Sequence, residues 1–499
     1  MGARDSAGRM SAYADFLAAK RRVVAPHSRD VARDALPSKL FPWQQAIVQW
    51  AVRKGRAAIF ADCGLGKTFM QLAWAAALDV PTLILAPLCV AEQTEAEALK
   101  LGLVVKYVRD GADATRREHY GGLPSIFITN YERLDRFDPA MFGAVVLDES
   151  SILKAFDGAT RDALIAAFAR TPYRLCCTAT PSPNDISELA NHAEFLGLMT
   201  RPEFLATWFV RVGTGHRTVT HHGWRMKRHA VQPFYRWMAS WAVALRTPSD
   251  IGYADDGFRL PPLSIRERIV ESGRVGDMLF PELGLSGLQG RLAARRGSLD
   301  DRIAAAADLV ASDDTWLLWC GLNEESTALA QAIPGAVEVR GSDSYSEKVG
   351  AVQAFVRGDT RVLVSKIRIL GYGLNFQQCH NMAFVGIGDS YEQYYQAIRR
   401  CWRYGQQHPV NVWIIVSEAE RLVVENVRQK ELRHSDLTSN LLTHISDLER
   451  EELWTVAPTT VNGIGGTKTT FERIGMPEKP SATVGAASGI TSIPHTARR

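Results

Sequence analysis

One loop constrains this chain more than any other feature. Ala61-Asp62-Cys63-Gly64-Leu65-Gly66-Lys67-Thr68 follows a short apolar run, 57–61, and precedes a helix-forming run, 69–78. A strand, a glycine turn and a helix N-terminus in that order are the context a phosphate loop needs. Glycines let backbone N–H groups close around phosphate oxygens, and the positive end of the helix favours their charge. On this reading Gly64 and Gly66 shape the cradle, Lys67 reaches the β- and γ-phosphates, and the Thr68 hydroxyl binds Mg2+. The strict pattern opens with glycine, where this chain has Ala61.

The rest of the chain supports an α/β fold around that loop. Strand candidates at 57–61, 82–86, 104–108, 125–129, 144–148 and 174–178 alternate with helical stretches in the first half. A second series follows at 316–320, 337–340, 362–365, 382–387 and 410–416. These runs are short and almost continuously apolar, as strands of a parallel sheet buried on both faces should be. Two sheet lobes are therefore expected. Val145-Val146-Leu147-Asp148-Glu149 ends one strand in two acids. Downstream of a phosphate loop, such acids read as a Mg2+ ligand (Asp148) and a group that orients and activates the attacking water (Glu149).

Composition excludes several classes. Of 499 residues, 46% are hydrophobic and 22% charged, an ordinary balance for a chain with more than one core. No apolar run approaches the roughly 18–20 residues that span a bilayer. The first twenty residues carry charges throughout and lack a secretory core, so a cytoplasmic protein with no membrane partner is expected. Seven cysteines are scattered without a CxxC pair, which suggests reduced thiols rather than a metal centre.

Further motifs follow in a characteristic order. Leu40-Phe41-Pro42-Trp43-Gln44 precedes the loop, and the Gln44 amide carries the donor and acceptor that adenine's edge requires. Leu83-Ile84-Leu85-Ala86-Pro87 and Ile128-Thr129-Asn130-Tyr131-Glu132 come next, then Thr178-Ala179-Thr180-Pro181 with Asn184. The second half carries Trp319-Cys320-Gly321-Leu322-Asn323, Ser365-Lys366, Gly371-Tyr372-Gly373-Leu374-Asn375, Asp389-Ser390 and Gln396-Ala397-Ile398-Arg399-Arg400-Cys401-Trp402-Arg403-Tyr404-Gly405-Gln406. In this order the motifs resemble those of superfamily 2 helicases. The TATPxxN spelling resembles that of Swi/Snf-like motors, while Trp319-Cys320-Gly321-Leu322-Asn323, Ser365-Lys366 and Asp389-Ser390 resemble small DEAD/DEAH-type helicases of bacteria and their phages. The resemblance runs from about Leu40 to Glu418.

That resemblance implies two tandem RecA-like lobes, ATP with Mg2+ as cofactors, and a nucleic-acid partner, with DNA favoured over RNA. It implies that Gln44 reads adenine and that Gly373 and Gln396 contact the nucleotide. Arg400 and Arg403 would reach the γ-phosphate from the second lobe. If 391–403 is one helix, Gln396, Arg400 and Arg403 share a face, from which Arg399 is excluded. The cytosol of a bacterium or of a phage-infected host is the expected location. Separate replication, repair or restriction-type proteins are possible partners.

Domain boundaries follow from the same reading: an N-terminal extension (1–35), a first lobe binding ATP (36–194), an insertion (195–260), a helical linker (261–312), a second lobe (313–453) and a Gly/Thr/Ser/Pro-rich flexible tail (454–499). The insertion is expected to be helical, basic and aromatic. Between Arg201 and Arg246 it holds eight Lys/Arg residues against the single acid Glu203, interleaved with Trp208, Trp224, Trp237 and Trp241. Such an element suits phosphate attraction and base stacking, or equally a small subdomain with tryptophans in its core. The expected activity is ATP hydrolysis driving a helicase or translocase along a strand. The alternative is a binding protein whose nucleic-acid affinity ATP merely gates; intact Glu149, Arg400 and Arg403 argue against it.

Overall fold

Runs such as Ala57-Ala58-Ile59-Phe60-Ala61 present no polar face, so their strands must be covered on both sides. The computed structural model describes residues 24, 27–87, 90–115, 126–154, 158–212, 223–270, 295–371 and 374–454, and builds two RecA-like parallel sheets from these runs. The first contains β1 (Arg56–Ala61), β2 (Thr82–Ala86), β3 (Val105–Tyr107), β4 (Ile126–Asn130), β5 (Ala144–Asp148), β6 (Tyr173–Cys177) and β9 (Ala242–Leu245). Its spatial order is β3-β4-β2-β5-β6-β1-β9. Helix α1 (Pro42–Lys54) leads into β1, and α2 (Lys67–Leu78) leaves the phosphate loop. Because β1 and β5 are neighbours of β6 in a parallel sheet, the phosphate loop and the Asp148-Glu149 pair emerge at the same edge, where ligands bind in such folds.

The second sheet has the order β10-β15-β14-β11-β13-β12. Its members are β10 (Leu263–Val270), β11 (Trp316–Cys320), β12 (Ala336–Val339), β13 (Val362–Lys366), β14 (Asn381–Val385) and β15 (Val410–Ser417), all parallel.

The linker and insertion differ from the boundaries drawn on sequence. Leu263–Val270, assigned above to a helical linker, is an edge strand paired with β15 along its whole length. Its Arg266, Glu267 and Arg268 gave it a polar look. An edge strand with one open side tolerates those charges. Residues 195–260 do contain the helices α3 (Arg201–Trp208) and α4 (Val231–Ala239), with an antiparallel pair β7 (Phe209–Arg211) and β8 (Trp224–Met226) between them. The stretch then returns to the first lobe, where β9 extends its sheet beside β1. Trp208, Trp237 and Trp241 are buried in the core beneath that sheet, so they pack the lobe and do not face a ligand. Trp224 is half-buried, while Arg211, Arg228, Arg236 and Arg246 are exposed.

A long helix, α5 (Arg421–Trp454), leaves the second lobe after β15 and lies against α4 and β9 of the first. Leu442 enters the first lobe's core, and Arg246 Nη1 donates to Ser439 Oγ at 3.3 Å. Among the described residues no helix is long and apolar enough to cross a membrane. The N-terminal extension through residue 23 and the tail from residue 455 lie outside the described residues.

His192 is a titratable group sealed inside the first lobe. Its ring is fully buried, stacks edge-on against Phe60 at 5.4 Å and meets Ser150 Oγ at 3.1 Å. Burial lowers its pKa to about 4, against a weaker opposing effect of the Glu188 backbone. The folded protein therefore holds this ring neutral while the unfolded chain protonates near pH 6.5. The resulting stability is complete above pH 6.5 and is lost as pH falls toward 4. Between pH 7 and pH 5 the loss is about 2 kcal/mol. We predict that His192→Gln narrows the difference in urea midpoint between those two pH values; an unchanged difference contradicts this assignment.

Candidate nucleotide site

The phosphate loop is built by conformations that only its glycines adopt freely. Gly64 and Gly66 have φ of +87° and +71°. A Cβ on Gly66 would lie 2.5 Å from Gln44 Nε2, and one on Gly64 would lie 2.9 Å from the backbone nitrogen of Tyr404 in the second lobe. The first glycine thus admits the second lobe against the loop, and the second admits Gln44. Lys67 begins α2, and its Nζ donates to the loop carbonyls of Ala61 at 2.8 Å and Asp62 at 3.2 Å.

Gln44 is buried, donates to Leu65 O at 3.0 Å and accepts from Phe41 N at 3.0 Å. Its amide therefore braces the phosphate loop and caps α1. The adenine contact expected for Gln44 competes with both bonds.

Asp148 ends β5, half-buried, and accepts from Gln71 Nε2 at 2.7 Å. Burial raises its pKa to about 6; the Gln71 bond opposes the rise, and neighbouring Glu149 adds to it. Gln71 was not singled out on sequence, although it sits four residues after Lys67 and so on the same face of α2. Glu149 occupies the left-handed region with φ of +60°, a costly conformation for a residue with a side chain. Its carboxylate is held on three sides. Thr178 and Ser151 donate their hydroxyls to Oε1, the latter at 3.1 Å, and Gln396 Nε2 donates to Oε2 at 3.1 Å. Thr178 also accepts from Thr180 N at 3.0 Å, which links the TAT segment to Glu149.

The second lobe enters through helix α6 (Tyr391–Ile398). The helix ends at Ile398, so 391–403 is not one helix; Arg400 and Arg403 are delivered by the turn that follows. Arg400 folds back, donating to Gln396 O at 3.0 Å, Gln396 Oε1 at 2.9 Å and Leu374 O at 2.8 Å. Arg403 makes one long contact, to Leu374 O at 3.4 Å, and its buried Nε has no hydrogen-bond partner among the described residues. Burial, reinforced by nearby Arg400, lowers the Arg403 pKa to about 10. Gly373 lies outside the described residues; Leu374 beyond it is the carbonyl both arginines use.

Arg399, excluded above from the functional face, reaches the first lobe. With Glu392, Tyr395 and Gln396 it forms an i, i+3, i+4, i+7 stripe facing that lobe. Glu392 accepts from Lys154 and shares the single Ser151 hydroxyl proton with Glu149, as its closer acceptor. Tyr395 and Arg399 both donate to the Asp62 carboxylate.

Together these elements enclose a cavity of about 320 Å³. Gly64, Gly66, Lys67, Thr68, Asp148 and Glu149 line it from the first lobe, and Asn375, Gln396, Arg400 and Arg403 from the second. The donor set fits a magnesium nucleotide. It offers a glycine cradle with a lysine and a helix N-terminus, a hydroxyl and a carboxylate that can hold a hard cation, and the Arg403 guanidinium, whose Nε has no partner among the described residues. Among the described residues no group of three or more His, Cys, Asp and Glu side chains is placed to hold a metal ion, so the cation site would rest on Thr68, Asp148 and the nucleotide itself.

Residues 314–405 match the helicase conserved C-terminal domain, which supports a superfamily 2 helicase-like protein. No curated protein matches the chain.

Proposed function

We propose that this chain is an ATP hydrolase that couples turnover to movement along nucleic acid, with DNA the favoured track. The observation that carries the proposal is the Gln396–Glu149 bond. A side chain of the second lobe holds the carboxylate that would position water in the first, so hydrolytic geometry depends on how the lobes are set. Lys67 and the loop amides bind the phosphates, and Thr68 and Asp148 would hold Mg2+. When bound, the metal neutralises charge on the β- and γ-oxygens. Glu149 orients the water for in-line attack, and Arg403 faces the charge that develops on the phosphoryl oxygens. Opening of the cleft breaks the Gln396–Glu149 bond and leaves the carboxylate held only by the first lobe's Thr178 and Ser151, which is how chemistry and lobe movement would be linked.

Arg211, Arg228, Arg236 and Arg246 are exposed on the first lobe and supply sequence-independent attraction for phosphates. Affinity for DNA should therefore fall steeply with salt. The Swi/Snf-like resemblance favours translocation on duplex over strand separation. Displacement of a fluorescent third strand from a DNA triplex, driven by ATP, is the expected result. Unwinding of a forked duplex without triplex displacement would assign a strand-separating helicase instead. Neither activity in a chain that binds ATP and DNA would favour the nucleotide-gated binder.

A further inference from the structure

The phosphate loop contains an acid that its proposed task does not call for. Asp62 stands five residues before Lys67, in a segment that must hold a polyanion. Its Oδ1 accepts from Cys63 N at 2.6 Å, and its own N–H donates to Leu245 O at 3.0 Å, so the residue is fixed in place. A carboxylate there repels phosphate unless something neutralises it. That group comes from 337 residues away: Arg399 of the second lobe pairs with Oδ2, and the Tyr395 hydroxyl bonds Oδ1. Both charged side chains are nearly buried, at 7% and 13% exposure. The guanidinium lies over the rings of Trp402, at 4.3 Å, and Tyr395, at 5.1 Å, so its position is set by the second lobe rather than by Asp62 alone.

Resting on the nucleotide-binding reading above, we propose that Arg399 is a positioning residue that neutralises Asp62 only when the lobes are closed, and thereby makes nucleotide affinity depend on lobe closure. With the lobes together, the loop presents its amides and Lys67 to phosphate with no competing anion. With the lobes apart, Asp62 is a bare carboxylate at the loop's entrance, and the product nucleotide is held less tightly. Arg399 touches neither reacting atoms nor phosphate; it acts through Asp62.

A suppressor cycle in the full chain tests this. The variants are Arg399→Met, Asp62→Asn, the double substitution and Arg399→Lys, and the probe is a fluorescent N-methylanthraniloyl-ADP with Mg2+. Asparagine keeps the acceptor for Cys63 N and removes only the charge. Arg399→Met should weaken binding roughly tenfold, the scale of one uncompensated charge at this range in a half-buried loop. Asp62→Asn should bind as tightly as the parent or more so. The double variant should return to near the parent's affinity, and Arg399→Lys should fall between parent and Arg399→Met. Thermal melting of each variant confirms that the fold is retained.

A double variant as weak as Arg399→Met, or an Arg399→Met variant that binds normally, overturns the proposal. Because the readout is binding, it separates from the motor reading. A parent chain that binds the probe but never hydrolyses ATP overturns the motor while leaving the cycle interpretable. A chain that hydrolyses ATP but shows no suppression overturns only the Arg399 role. A parent that does not bind the probe overturns both.

Discussion

Replacing Glu149 by glutamine is expected to lower ATP turnover by roughly 10²–10⁴-fold, the range for loss of a positioned general base, while nucleotide remains bound. The expectation rests on how the carboxylate is held. Glu149 adopts a left-handed backbone and is fixed by the Thr178 and Ser151 hydroxyls and by Gln396 Nε2. Glutamine is nearly isosteric and keeps an oxygen for the hydroxyl donors, but its amide cannot take a proton from water. Such strain is tolerated where the surroundings over-determine it, and here the distant Thr178 and Gln396 and the adjacent Ser151 do so. Single-turnover kinetics with equilibrium nucleotide binding would separate the two effects. Retained turnover in Glu149→Gln would remove Glu149 from the chemistry; lost binding would make it a structural residue of the loop.

The second large effect is expected at Arg403. Arg403→Ala should lower kcat by roughly 10³–10⁵-fold, as loss of a guanidinium facing developing phosphoryl charge does in other NTPases, with little change in ATP affinity. Arg400→Ala should differ in kind. Arg400 uses its donors on Gln396 and Leu374, whereas Arg403 has a buried Nε without a hydrogen-bond partner among the described residues. Losing Arg400 frees Gln396 and so disturbs its bond to Glu149, which should affect both KM and kcat. Adding guanidinium to the assay should partly restore Arg403→Ala and not Arg400→Ala. Equal profiles for the two variants, or an Arg403→Ala enzyme with normal kcat, would contradict this division of roles.

What could be read from sequence followed the physics of each feature. Doubly covered strands betray themselves by continuous apolar runs, so most of both sheets was legible. β9 is a four-residue run, Ala242–Leu245, within a tryptophan- and arginine-rich stretch, and its sheet membership depends on β1, nearly two hundred residues earlier. β10 carries three charged residues in succession, Arg266, Glu267 and Arg268, which an edge strand tolerates, and such a pattern resembles a polar linker. The phosphate loop and acid pair were legible because their spacing is tied to a strand end. The partners were not. Gln71, Ser151 and Arg399 matter through residues brought near by folding, and only Gln71 carried a local signal, its helical spacing from Lys67. The end of α6 at Ile398 was equally hidden; Arg399, still αR, keeps the helical stripe that reaches Asp62, and the turn after it sends Arg403 into the cavity.

The most direct test of the central claim is steady-state ATP turnover by the intact chain without nucleic acid, then with duplex DNA, single-stranded DNA and RNA in turn, with Glu149→Gln as the control. Stimulation by duplex DNA that disappears in Glu149→Gln is the predicted result. ATP that binds but is not hydrolysed faster than in the Glu149→Gln control, whichever nucleic acid is present, would contradict it.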